Sequence, residues 1–152
     1  MKLAESLVLR ADLQRRVGQV RERLNMSALV QEGDQPPEQP QALLGELDEM
    51  FEQLNRLIVQ INQTNVRTRI DGGETLTEAL ARRDVLDLRL QVLKQVADTA
   101  AQRIDRYGRS EIKRVATVDV GALRRDIDQI ARQRRELDTA IQATNWTTEL
   151  GE

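Results

Sequence analysis

Residues 40–65 read PQALLGELDEMFEQLNRLIVQINQTN, and this stretch decides the fold. Leu43, Leu47, Met50, Leu54, Leu57 and Ile61 recur at alternating steps of four and three, the period of one face of an α-helix. Leu44, Phe51 and Ile58 widen that stripe on one flank. Three apolar positions per heptad suit a bundle face better than the narrow seam of a two-stranded coiled coil. Glu46, Asp48 and Glu49 fall early in the helix, where the helix dipole favours negative charge. The segment before it, VQEGDQPPEQPQ at 30–41, holds every proline of the chain: Pro36, Pro37 and Pro40. Proline lacks the amide N–H and clashes inside a helix, so this is a loop and the helix starts at Pro40.

Working outward, Leu3, Leu7, Leu9, Leu13, Val17, Val20 and Leu24 predict a first helix over Lys2–Met26. Gly18 inside it costs about 1 kcal/mol against alanine, so either another backbone approaches there or the site is open surface. After the second helix, VRTRIDGGET at 66–75 breaks the pattern. Val66, Thr68 and Ile70 alternate, and Asp71-Gly72-Gly73 is turn chemistry; a short β-hairpin and a plain turn both fit. Thr75 and Glu78 then have the spacing of a capping box. They open a third helix from Leu76 to about Tyr107 with two apolar seams. Leu86, Leu90, Leu93, Ala97, Ala100 and Ile104 form one; Val85, Leu88, Val92 and Val96 form another a third of a turn away. A helix dry on two faces touches two partners.

GRSEIKRVATVD at 108–119 carries no helical stripe and reads as extended, a strand to lie beside 66–70, with Thr117 or Asp119 as the cap of the next helix. That helix runs to about Thr144 on Leu123, Ile127, Ile130, Leu137 and Ile141, with Arg134 where the seam calls for an apolar residue. The expected fold is mainly α: an antiparallel bundle of four long amphipathic helices in a single domain over 1–152, with room for one short strand pair at the helix breaks. Trp146, in the tail, is expected to pack on the bundle or to anchor in a neighbouring subunit.

Composition narrows the chemistry. The chain has neither cysteine nor histidine, which removes disulfides, thiolate nucleophiles, Cys or His metal sites and imidazole acid–base catalysis. Net charge is −2, so no global field draws nucleic acid or an anionic membrane. Phe51, Tyr107 and Trp146 are the only aromatics, too few for a base-stacking surface. No apolar run reaches transmembrane length. Glu5 and Arg10 interrupt the apolar patch of MKLAESLVLRADL, so it does not read as a signal peptide and a cytoplasmic location is expected. No phosphate-binding loop, nucleophile elbow or dinucleotide fingerprint occurs. No cofactor is expected.

Four groups of polar residues stand out from the helical stripes. Arg103, Arg106, Tyr107, Arg109, Lys113 and Arg114 gather around the break after the third helix. Cations there complement the helix dipole; the sharper reading is an anion site, because arginine forks match phosphate oxygens. Glu46 with Glu49, and Asp84 with Asp87, have the spacing at which two carboxylates share a helix face and can hold Mg²⁺ or Mn²⁺, although surface acids at that spacing are common. Asn62, Thr64 and Asn65, with Arg67 and Arg69, form a polar patch at the end of the second helix, for a buried network or a subunit contact. Arg83 and Arg134 interrupt apolar stripes. A buried arginine needs a carboxylate, so at least one should pair with an acid on another helix or subunit and set register.

Several non-periodic polar stretches carry a resemblance. They are MKLAESLVLRADLQRR at the start, ALVQEGD at 28–34, INQTN at 61–65, LTEALARRDVL at 76–86, RSEIK at 109–113, TVDV at 117–120 and NWTT at 145–148. With these the chain resembles, end to end, a septicolysin-like family of small, mostly actinobacterial helical proteins of unknown function. The resemblance implies a helical, self-associating bacterial protein; the family label implies a pore-forming activity; neither brings catalytic residues. The leading expectation is a homo-oligomeric structural or interaction protein. A membrane-active, pore-forming protein and a metal-dependent nucleotide hydrolase using the carboxylate pairs are the alternatives.

Overall fold

The computed structural model describes residues 1–102 and 114–151. It has four helices: α1 (Leu3–Ser27), α2 (Pro40–Arg67), α3 (Leu76–Ala101) and α4 (Val120–Thr147). The fold is mainly α, as the periodicity predicts, and no sheet forms among the described residues.

The caps are those the sequence supplies. Pro40 sits in the first turn of α2, where a missing N–H is free of cost. Thr75 and Glu78 make the reciprocal box at the start of α3: the Thr75 N–H donates to Glu78 Oε2 at 2.7 Å, and the Glu78 N–H donates to Thr75 Oγ1 at 3.2 Å. For α4, Asp119 is the cap and not Thr117, its Oδ1 accepting from the Ala122 N–H at 2.9 Å. Between α2 and α3 the chain turns tightly, with single bridge positions at Arg69 and Thr75 on either side and Ile70 N–H donating to Glu74 O at 2.9 Å, so the hairpin is reduced to a bridged turn. Asp71 and Gly72 have φ of 46° and 74° there, a left-handed pair that glycine and aspartate adopt most readily. Val66 and Arg67, at the start of the expected alternation, lie in the last turn of α2, which runs to Arg67. The companion strand is absent from the described residues 114–119, and 108–113 lie outside them.

The chain divides into two compact units, Met1–Arg69 with Gln142–Glu152, and Ile70–Ile141. In the first, α1 and α2 form an antiparallel hairpin. Val20 from late α1 packs with Leu43, Leu47 and Met50 from early α2, flanked by Val17 and Leu24. Leu13, Leu57 and Ile61 are buried further along. Leu44 and Phe51, expected to widen the α2 stripe, are exposed. In the second unit α3 and α4 pair antiparallel around Leu90, Ala97, Ile127 and Ile130, with Leu86, Leu93, Leu123 and Ala131 at the margin. The first seam of α3 is thus its α4 face. Gly18 has no neighbour within 4 Å of an added Cβ, so of its two readings open surface holds. Trp146 does not pack: it is 59% exposed, while the preceding Asn145 is buried. On a helix, consecutive residues point about 100° apart, so burying Asn145 turns Trp146 outward.

Candidate functional site

The most organised polar constellation is a ladder along α3 and α4. Arg83 donates to Asp138 Oδ1 at 3.2 Å. Arg134 donates through Nε to Asp87 Oδ1 at 2.9 Å and approaches Asp138 Oδ2 at 3.9 Å. Asp138 therefore stands between two guanidinium groups. Arg124 and Asp98 add a looser rung at 3.7 Å. The partners climb one helix as they descend the other: 83 with 138, 87 with 134, 98 with 124. The steps of four from Arg83 to Asp87 and from Arg134 to Asp138 keep these four side chains on one edge of the helix pair, so the ladder reads out the register of α3 on α4. The hydrogen bond from Arg134 holds the Asp87 carboxyl below its usual range, against a smaller opposing effect of burial.

The first unit has two comparable features. At the end of α1, Arg23 donates through Nε to Glu38 Oε2 at 2.8 Å and lies 3.6 Å from Glu46, while Ser27 Oγ accepts from the Glu38 N–H at 3.3 Å. Glu38 lies in the proline-rich loop, so these contacts tie the loop to α1. Arg23 also holds the Glu38 carboxyl below its ordinary range through its hydrogen bond. At the chain ends, Leu3 N–H donates to Thr148 O at 2.9 Å and Leu150 N–H donates to Met1 O at 2.8 Å. Lys2 Nζ meets Glu149 Oε1 at 2.6 Å, and the Met1 ammonium meets Oε2 at 3.2 Å. The Lys2 hydrogen bond, then that of the ammonium, lowers the Glu149 pKa. Gly151 N–H donates to Thr64 Oγ1 at 2.9 Å, and Thr64 itself donates to Gln60 O. Sequence reasoning missed this clasp. Its one signal was the density of non-periodic polar residues in INQTN and NWTT: Thr64 belongs to the polar patch read at the end of the second helix, but nothing in the sequence ties that patch to Gly151.

Of the polar patch at the end of α2, Thr64 is buried, Asn65 half-buried and Asn62 exposed. Of the anion-site candidates, Arg103, Arg106, Tyr107, Arg109 and Lys113 lie outside the described residues, and Arg114 is exposed. Glu46 stands beside Arg23, Asp87 beside Arg134, and Asp84 lies 3.8 Å from Arg83; Glu49 is exposed. Among the described residues no three potential ligands come together as a metal site.

The second seam of α3 is largely exposed: Val85, Leu88, Val92 and Val96 are 64, 60, 50 and 39% exposed. Val96, at its end, lines a pocket with Val115 and Val118. The first seam, a third of a turn away, packs Leu86, Leu90, Leu93 and Ala97 with α4. No helix among the described residues is long and apolar enough to cross a membrane.

These features define a class: a mainly helical protein of antiparallel helix pairs, registered by arginine–carboxylate ladders. The chain belongs to a family of unknown function, DUF6847, whose model matches residues 10–150. It is similar to a functionally unknown conserved protein from Corynebacterium diphtheriae, known from a crystal structure, with 44% identity, 99% of each chain covered and a TM-score of 0.93. No protein of curated function matches it. Neither match carries the septicolysin-like name, so the supported family statement is one of unknown function.

Proposed function

We propose that the protein is a homo-oligomeric structural or interaction protein that assembles through the uncovered face of α3. The observation that carries this is the row Val85, Leu88, Val92 and Val96, apolar at helical spacing and exposed. Scattered surface hydrophobes need no explanation, but a contiguous stripe on a rigid helix costs hydration free energy unless something covers it. The ladder on the other side supports the reading, because it fixes α3 on α4 and presents the stripe on a rigid element. Absolute mass by light scattering on a sizing column tests it: a mass of two or more chains is expected, and a clean monomer at 100 µM would sink the proposal.

The pore-forming reading draws on the septicolysin-like resemblance alone. The high charge density of the helices weighs against it, and dye release from liposomes at micromolar protein is the experiment that would revive it. A carboxylate-metal nucleotide hydrolase has less support, since Glu46 and Asp87 already face arginines. Heat on titrating Mg²⁺ or Mn²⁺ in a calorimeter would argue for it.

A further inference from the structure

We infer that the occupant of the α3 face is a second copy of this chain, with the two α3 helices parallel and in register about a two-fold axis. This rests on the self-association proposed above and adds its geometry. Along the exposed face, Val85 and Val92 are seven apart, with Leu88 between them, which is the a–d–a spacing of a coiled-coil seam. Within parallel coiled coils, valine at a with leucine at d favours two strands over three or four. The face lies about 120° around the helix from the seam that α4 covers, so a second helix can reach it without displacing α4.

The flanking charges choose the direction. Asp84 and Arg89 stand on opposite edges of the stripe, at the g and e positions, five residues apart. In a parallel pair, g of one helix meets e of the next heptad on the other, so Asp84 faces Arg89 of the second copy, twice per dimer by symmetry. Both side chains are exposed and available. Arg89 makes no ion pair with a described residue, and the one contact of Asp84 is the 3.8 Å approach of Arg83, whose better partner is Asp138. An antiparallel pair would set each edge against its own copy, so Asp84 and Arg89 would lose each other as partners and each would face its own sign, which favours the parallel orientation.

The chain has no cysteine, so single substitutions report cleanly. Val85→Cys and Val92→Cys are made separately in the full chain and oxidised with copper phenanthroline. Both positions are exposed, so neither change touches the core. In a parallel, in-register pair each residue faces its own copy, and both variants are expected to run as covalent dimers on a non-reducing gel. An antiparallel pair can bring at most one of the two positions opposite itself. As a second measurement, Asp84→Arg should weaken the dimer Kd about tenfold, and Asp84→Arg with Arg89→Asp should restore it. A dimer mass with only one or neither variant cross-linking overturns the parallel geometry while leaving self-association standing. So does a Kd unmoved by Asp84→Arg. A monomer mass overturns both.

Discussion

Asp138 serves two cations, and that arrangement makes specific demands at the scale of single residues. Its pair with Arg83 is half-shielded, both side chains being about a third exposed or less. A pair so placed is worth more than an open one, because water screens it less. A double-mutant cycle over Arg83→Ala and Asp138→Ala is expected to give a coupling of about 0.5–1 kcal/mol in urea unfolding. The same cycle on Arg132 and Glu136, exposed neighbours on α4, should give under about 0.5 kcal/mol. Equal couplings would mean the ladder is surface decoration. Acid should act through a different set. Glu38, Asp87 and Glu149 are all held below their ordinary values of 4.5, 3.8 and 4.5. A depressed folded pKa contributes stability that is complete above the unfolded value and is lost as pH falls through the folded one. With no histidine in the chain, the melting temperature should stay nearly level from pH 5 to pH 8 and fall below about pH 4.5. The triple variant Glu38→Gln, Asp87→Asn, Glu149→Gln should melt lower at pH 7 and show a flatter acid limb; an unchanged limb would place the acid sensitivity elsewhere. That arginines inside apolar stripes need acids was legible in the sequence, since desolvation demands it. Which acid was not: Arg83 and Asp138 are 55 residues apart, and nothing local encodes the pairing.

At the scale of the element, regular features were read well because each has a local cause. The Thr75–Glu78 box needs only four residues, and its removal by Thr75→Ala should cost about 1 kcal/mol. The first turn of α2 follows from Pro40, and the buried faces of α2 and α4 from steps of three and four. The missed features depend on distant neighbours. Phe51 lies on the expected flank of its stripe, yet burial depends on a third surface that the stripe does not encode, and Phe51 is half exposed. The clasp of Lys2, Glu149, Thr64 and Gly151 joins segments far apart in sequence and leaves no periodic trace. The glycines allow a direct test of helix energetics. Gly18 in α1 and Gly45 in α2 have open space where a Cβ would go, and neither backbone has positive φ. Replacing either by alanine should therefore stabilise by about 0.5–1 kcal/mol, through a less flexible unfolded chain and better helix propensity. Loss of stability at Gly18 would instead point to a backbone that approaches α1 in an assembly.

For the whole molecule, the accounting of apolar surface points outward. A chain with three aromatics has few large side chains to bury, and its cores are built from leucine, isoleucine, valine and alanine. Yet Val85, Leu88 and Val92 remain half or more exposed on a helix of 26 residues. If association covers them, stability and assembly are linked by mass action: whatever binds the folded state and not the unfolded chain raises the melting temperature in proportion to the logarithm of its concentration. The wild-type protein should then melt progressively lower over serial tenfold dilutions followed by circular dichroism. The variant Leu88→Lys with Val92→Lys should be a monomer by light scattering, and its melting temperature should not depend on dilution. At high dilution the two should converge, because substitutions at exposed positions away from caps and cores change monomer stability by no more than about 0.5 kcal/mol. Convergence separates an interface from a hidden core. If the lysine variant stays well below the wild type however dilute both become, these residues stabilise the single chain itself, and the exposed face is not what holds copies together.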